Sequence, residues 1–281
     1  MDFVCPKCRK GLTLCEGGVK RCPEGHSYDR ARAGYYNLLL GSSGGTHGDN
    51  RQMVEARARF LSLGFYEPLA DRVAELVYRY LPSGEALLDA GCGEGYYTER
   101  VYRALAEREG AFPIDIFAFD ISKDAARLTS RRCPSVKVCV ASSYNMPLDD
   151  SSVGAVINIF SPLASEETHR VLRQGGKFIV AYPDRRHLFD LKEKLYRNAY
   201  ENEPESEPPP SFRLVERVRI GYDIHVVGRE NTESLFLMTP YAYRTGERGR
   251  KVLSELTELD TRVEFIVDVY EKITENHGKE I

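Results

Sequence analysis

Cys5-x2-Cys8 followed, after thirteen residues, by Cys22-x3-His26 is a pair of ligand-bearing turns with the spacing of one zinc site. A CxxC turn aims two thiolates at a common point, and the second pair closes a tetrahedron with no open position. The metal is therefore predicted to be structural. Gly17-Gly18 supplies a hairpin turn that returns Cys22 toward Cys8, and Gly25 relaxes the chain beside His26. Cys15 lies between the pairs as an alternative to His26, at poorer spacing. A redox CxxC is set aside, because residues 1–40 cannot supply the strand and helix that flank one. Cys92, Cys133 and Cys139 fall in core-like segments and read as buried thiols.

A second signal is Ala86-Leu87-Leu88-Asp89-Ala90-Gly91-Cys92-Gly93-Glu94-Gly95, an apolar strand ending in an acid and then three glycines at alternating positions. Glycines at the carboxyl end of a first strand let the backbone turn tightly and approach a ligand in the crevice where doubly wound sheets bind cofactors. The Gly-x-Gly-x-Gly spacing departs from the Gly-x-Gly-x-x-Gly of dinucleotide folds. Ile116–Asp120 reads as a second strand whose terminal acid suits a ribose diol, with Ser122 capping the next helix. Val136–Val140 is a third strand, after which Ala141 and Ser142 can border an adenine.

These residues need a frame, and an α/β rhythm provides it. Helices are predicted over 51–63, 68–81 and 96–109, with Pro68 in a first turn. Val153–Phe160 and Lys177–Tyr182 read as further strands buried on both faces, with a short helix capped by Ser165 between them. Beyond them are predicted a helix over 188–201, an exposed Pro-rich loop over 202–211, and a strand with Arg213, Arg217 and Arg219 on one face, open to RNA phosphates or to solvent. Helices near 232–238 and 247–259 and a last strand over 262–270 complete the chain.

Composition limits the function classes. The chain has 281 residues, 42% hydrophobic and 29% charged, enough for one large folded domain plus a small module. A net charge of −3 excludes nucleic-acid binding through the overall field, but residues 1–40 hold seven basic against four acidic side chains, interleaved with Tyr28, Tyr35 and Tyr36. Basic groups with aromatic faces between them suit unpaired nucleotides. The amino terminus lacks the pattern of a signal or transit peptide, and no run suffices to cross a bilayer, so a cytoplasmic location without a membrane partner is expected. The Gly/Ser-rich stretch from Gly41 reads as a linker over 41–52, between a module at 1–40 and a domain at 53–281.

Leu87–Gly95 with Asp120, Ala141-Ser142 and Arg173-Gln174-Gly175-Gly176 resembles the class I S-adenosylmethionine-dependent methyltransferases, with Gln174 in place of a common proline. The resemblance implies a doubly wound, seven-stranded Rossmann-like α/β sheet with an antiparallel final strand. It also implies a glycine loop (Gly91, Gly93, Gly95, with Asp89 ahead of it) bordering the methionyl part of the cofactor. Taken with the Cys/His module, Phe60-Leu61, Tyr66, Gly93-Glu94-Gly95-Tyr96-Tyr97-Thr98 and Arg186-His187-Leu188, the chain resembles the RlmA-type 23S rRNA guanine-N1 methyltransferases over nearly its whole length. That family implies S-adenosylmethionine and one structural zinc held by Cys5, Cys8, Cys22 and His26. Its substrate is a hairpin loop of 23S rRNA rather than DNA, and it acts as a homodimer. By motif, Tyr66 and His187 would join Gly93, Glu94, Tyr97 and Thr98 around the cofactor. The alternative is a class I methyltransferase acting on a small molecule or another RNA.

Guanine N1 carries a proton and lies on the pairing edge, so the reaction needs an unpaired base and either a positioned base or donors at O6. Asp184, after the fifth strand, and Asn158 and Ser161, at the end of the fourth, are the candidates, and no one of them is singled out as the proton acceptor.

Overall fold

The computed structural model describes residues 1–41, 48–107, 114–203 and 207–273. Most of the expected linker, 42–47, and the end of the third predicted helix lie outside the described residues.

The amino-terminal segment forms a three-stranded antiparallel sheet of two-residue strands, β1 (Thr13–Leu14), β2 (Lys20–Arg21) and β3 (Ser27–Tyr28). β4 (Tyr36–Asn37) leaves this segment and joins the large sheet. There follow α1 (Arg51–Leu61), α2 (Glu67–Tyr80), β5 (Leu87–Ala90), α3 (Tyr96–Ala106), β6 (Ile116–Asp120), α4 (Lys123–Arg132), β7 (Lys137–Val140), β8 (Val153–Ile159), α5 (Ser165–Val171), β9 (Leu172–Pro183) and α6 (Phe189–Leu195). The chain closes with β10 (Phe212–Val227), α7 (Arg229–Leu237), α8 (Tyr241–Arg244), α9 (Glu247–Glu255) and β11 (Glu258–Lys272). The sheet order is β10-β11-β9-β8-β5-β6-β7-β4, with β11 antiparallel to both neighbours and β4 to β9 parallel. The expected doubly wound set of seven strands is thus present, and β4 adds an eighth at its edge.

Sequence pattern accounts for the two layers. All of β8, Val-Gly-Ala-Val-Ile-Asn-Ile, is buried, as a central parallel strand must be when both faces are covered. One face, with Leu87, Ile116 and Val138, packs under α2 and α3, whose apolar residues recur at helical spacing. The other face, with Leu88, Phe117 and Phe119, packs against Phe3, Cys5, Leu12 and Leu38 of the amino-terminal segment. Phe3 and Phe117 meet edge-to-face at 5.3 Å.

The metal module therefore stands where a crossover helix between β7 and β8 would otherwise cover the sheet. It is tied to that helix-free connection by backbone as well as side chain. Val4 N–H donates to the Pro147 carbonyl at 2.9 Å, and the Arg9 guanidinium donates to the carbonyls of Met146 (2.8 Å) and Leu148 (2.7 Å).

Two local expectations are corrected. The helix predicted over 188–201 ends at Leu195, because the buried Lys192 Nζ donates to the Tyr200 carbonyl (2.9 Å) and Asn202 Oδ1 (2.7 Å), folding 196–202 back as a loop. The three arginines of β10 do not share a face. A bulge between Leu214 and Glu216 turns Arg213 to the side opposite Arg217 and Arg219. All three face carboxylates: Arg213 on Glu271 (2.9 Å), Arg217 on the fully buried Asp268 (2.7 Å) and Arg219 near Asp184 (3.6 Å). Arg217 is thus largely covered, while the Arg213 and Arg219 side chains stay exposed.

Candidate functional site

The ligand turns are closed by their own backbone. Cys5 N–H donates to the Lys10 carbonyl, Arg9 N–H to that of Cys5, and Gly25 N–H to that of Cys22, at 2.8–2.9 Å. Donor atoms of Cys5, Cys8, Cys22 and His26 all lie within 4.8 Å of one another. Cys8 and Cys22 sulfurs stand 3.6 Å apart, and His26 Nδ1 is 3.5 Å from Cys5 Sγ and 3.3 Å from Cys22 Sγ. Those are close to the edges of a tetrahedron with metal–sulfur bonds of about 2.3 Å and a metal–nitrogen bond of about 2.0 Å. Burial works against a Cys5 thiolate, but the Tyr28 hydroxyl at 3.1 Å and the backbone of Cys8 and Lys7 outweigh it and bring its pKa down to about 6. The donor set fits zinc. Cys15 is exposed, with its sulfur turned to the Thr13 carbonyl, which leaves His26 as the fourth ligand.

At the carboxyl ends of the parallel strands lies a cavity of about 1070 Å³. Its walls come from α1 (Met53, Arg57), from Tyr66 and Tyr97, from Asn158 in β8 and Phe160–Leu163 after it, from Tyr182 in β9 and His187 after it, and from Tyr200–Glu203, Met238–Tyr241, Tyr243 and Arg244. The glycine loop lies behind this lining, with Gly91 against Ser161 and Gly93 against Arg57. Gly91 has φ 87° and a side chain there would put Cβ 2.1 Å from Ser161 Oγ, so only glycine fits. At Gly93, with φ 57°, an added Cβ would meet only the Arg57 guanidinium, at 3.8 Å. Asp120 accepts the N–H of Gly93 (3.0 Å) and of Ser122 (2.8 Å), and Thr98 donates to the buried Asp89 at 2.6 Å. Burial pushes the Asp89 carboxyl up to about 7, and it raises Glu94 and Asp120 in the same direction.

Polar groups in the walls are held in defined states. His187 Nδ1 accepts the Glu264 N–H (3.2 Å), so Nε2 carries the proton and faces the Tyr66 hydroxyl at 3.3 Å. Burial lowers the His187 pKa to about 3, which keeps the ring neutral. Tyr66 Oη is then free to donate. Asn158 Nδ2 donates to the carbonyls of Ala90 (3.4 Å) and Pro162 (3.2 Å), which fixes the amide and leaves Oδ1 buried without a donor. Tyr97 Oη is likewise buried and unpaired. Phe160, at φ 53°, rare for a bulky residue, is 45% exposed and lines the cavity, its ring 6.3 Å from that of Tyr97. A pocket backed by the glycine loop, with unpaired buried acceptor and donor atoms, fits S-adenosylmethionine.

Comparison with known proteins decides the family. Residues 3–40 match the zinc-ribbon model described as "RlmA, N-terminal", and residues 81–218 a methyltransferase-domain model. A Micromonospora griseorubida protein assigned by name to the 23S rRNA (guanine-N(1)-)-methyltransferases is 34% identical over 68% of both chains. The 23S rRNA (guanine(748)-N(1))-methyltransferase of Streptomyces fradiae is 32% identical over 77% of both. YxjB of Bacillus subtilis, named likewise for guanine-N1, is 30% identical over 93% of this chain and 94% of its own. The chain belongs to the RlmA family of 23S rRNA (guanine-N1)-methyltransferases. It is an S-adenosylmethionine-dependent methyltransferase with a zinc ribbon.

Within this RlmA-family frame, the sequence-predicted residues separate. Tyr66, Tyr97, Asn158 and His187 line the cavity, while Asp89, Gly91, Gly93, Glu94, Gly95 and Asp120, in the glycine loop and strand ends, and Thr98, in the first turn of α3, are not in its lining. Ala141 and Ser142 follow β7 and do not line it. Asp184 also stays outside, its carboxylate turned to Arg219 and the Arg185 N–H. Sequence reading missed Asp49, which is paired with Arg57 over the glycine loop, and it missed the wall from Tyr200 to Glu203. The wall has no local motif. Arg57 and Phe60 at one-turn spacing on α1 were the available clue to the first.

Proposed function

We propose that this protein transfers a methyl group from S-adenosylmethionine to N1 of one guanine in a hairpin loop of 23S rRNA. The observation that carries the reading is the union, on one sheet, of a zinc ribbon and a glycine-loop cavity, in a chain whose relatives bear that activity in their names. Residues 1–40 serve RNA recognition, the active form is a homodimer, and the enzyme works in the cytoplasm. No helix among the described residues is long and apolar enough to cross a membrane.

Bound S-adenosylmethionine supplies an electrophilic methyl on a sulfonium. Gly91, Gly93 and Gly95 let the backbone meet its methionyl part, with Asp89 and Thr98 bracing the loop and Glu94 beside it. Asp120 takes the ribose hydroxyls, Ala141 and Ser142 border the adenine, and Tyr66, Tyr97 and His187 close the far side. The chain's remaining task is to align a flipped-out guanine. Asn158 Oδ1 accepts an N–H of the pairing edge, and Phe160 offers a face for the ring. Arg244, exposed on the cavity wall with no ion-pair partner among the described residues, is available to offset negative charge on O6 as N1 loses its proton. The N1 proton itself needs an acceptor, for which Asp184, outside the cavity lining and directed to Arg219, is the weak candidate.

The test is transfer of labelled methyl from S-adenosylmethionine to large-subunit rRNA lacking the modification, with primer extension to locate the product. One strong stop at one guanine is expected. No transfer to any RNA by a zinc-loaded, cofactor-binding enzyme rejects the reading.

A further inference from the structure

The basic residues of the metal module are mostly engaged inside the protein. Arg9 is bound to carbonyls of the β7–β8 connection, Lys20 is buried on Asp2, Lys10 pairs with Glu24, and Arg30 Nε donates to the Gly34 carbonyl at 3.3 Å. Two of its tyrosines are also committed. Tyr36 is buried with its hydroxyl on the Gly18 carbonyl, and Tyr28 is on Cys5. Among the described residues, Lys7, Arg21 and Arg32 keep exposed side chains without a hydrogen-bond or ion-pair partner.

Arg32 is the one of these that stands beside other cations. The turn from Ala31 to Tyr35 is closed by Gly34 N–H to the Ala31 carbonyl (2.8 Å) and Ala31 N–H to the Tyr35 carbonyl (2.9 Å). Gly34, at φ 108°, brings this turn against α4, where an added Cβ would lie 3.9 Å from Ser130 Cβ. The turn and α4 together bound a separate cavity of about 590 Å³, whose charged lining is Arg32, Arg127 and Arg131, with Tyr35 beside them. Arg127 is partly neutralised by Asp124 at 3.2 Å, and the other two have no carboxylate partner among the described residues. Two uncompensated guanidinium groups, one on a hydrogen-bonded turn and one on a helix, with Tyr35 in the same lining, are suited to a phosphodiester and its neighbouring base.

We propose that this notch at the joint of the zinc module and α4 binds a backbone phosphate of the RNA substrate. The proposal rests on the RNA reading above and adds the place where the module's positive charge is spent. A phosphate held there touches the zinc module and the cofactor domain at once, so it orients the RNA strand along the rim of α4, the helix that begins beside Asp120. Phosphate contacts set register and carry no base information.

The test uses the full-length zinc-loaded enzyme and unmodified 23S rRNA transcribed in vitro. Arg32→Ala with Arg131→Ala is expected to weaken RNA binding about tenfold at 0.15 M salt and to flatten the plot of log affinity against log salt by about 1.4, two single-strand contacts. The Michaelis constant for RNA should rise while turnover at saturating RNA and calorimetric S-adenosylmethionine affinity hold. Arg131→Lys should keep most of the affinity. Removing Arg248 and Lys251 from α9 is the control for overall charge. Unchanged affinity and slope in the notch variant, or an equal loss in the α9 control, overturns the proposal while the enzyme still methylates RNA. Wild-type enzyme that neither binds nor methylates the RNA removes the underlying reading instead.

Discussion

The metal cluster and the cavity solve the same problem, holding several side chains at fixed distances, by opposite means. At the cluster, four ligands come from two turns of four or five residues, each closed by its own backbone hydrogen bonds. At the cavity, lining residues come from segments as far apart as Arg57 and Arg244, and each is fixed by a different element. A cluster of the first kind survives only if its ion is present. The second depends on the whole sheet, and behind its lining residue Ser161 no side chain is tolerated at Gly91.

The largest expected effect comes from breaking the cluster. Structural zinc in small domains is worth on the order of 10 kcal/mol. Because Phe3, Cys5 and Leu12 share a core with Phe117 and Phe119, Cys22→Ser or a chelator should lower the melting temperature of the entire protein in one calorimetric transition. Two separated transitions, with the upper one unmoved, would show the module to be an independent bead.

Next is the glycine loop behind the cavity. Gly91→Ala combines a positive φ with a 2.1 Å approach to Ser161 and should cost about 2–4 kcal/mol and abolish calorimetric cofactor binding. Gly93→Ala, with only the Arg57 guanidinium 3.8 Å away, should fold better yet still lose cofactor affinity. Equal behaviour of the two would mean that Gly93 faces no ligand. A smaller step is Tyr66→Phe, which removes one hydroxyl from the His187 pair. We expect about a fivefold to tenfold loss of S-adenosylmethionine affinity, near 1 kcal/mol, with little change in melting temperature.

The same contrast explains what sequence reading could reach. Cys5, Cys8, Cys22 and His26 were legible because their geometry is encoded in spacing within one hairpin. The glycine loop and the two strand-end acids were legible because a strand-turn-helix unit is also local. Arg57, Tyr200 and Arg244 were not, since their meeting depends on how α1, the post-α6 loop and α8 pack over the sheet. The early end of α6 was hidden for a related reason: Lys192 acts on residues eight and ten positions later, an interaction with no periodic trace. The placement of the module was missed too, although Phe3 and Leu38 were apolar residues that a self-contained zinc hairpin did not need.

Titration separates the two regions most finely. Behind the cavity, Asp89 has its pKa raised by burial to about 7, with Thr98 opposing and the charges of Asp120 and Glu94 adding, while in its wall burial lowers that of His187 to about 3. The unfolded chain titrates these groups near 3.9 and 6.5, as ordinary residues do, at roughly those values. Between about pH 4 and 7 the folded chain holds a proton at Asp89 that the unfolded chain has released, so this group's contribution to stability falls as pH rises. Between about pH 3 and 6.5 the unfolded chain binds a proton at His187 that the folded chain refuses, so this contribution rises with pH. The two oppose each other across the shared window and leave a small net slope. Relative to wild type, Asp89→Asn should therefore make stability climb more steeply from pH 4.5 to 6.5, and His187→Gln should make it climb less, both read from urea midpoints at several pH values. Identical slopes in all three proteins would mean that neither group is desolvated in solution, and that both places are wetter than their burial implies.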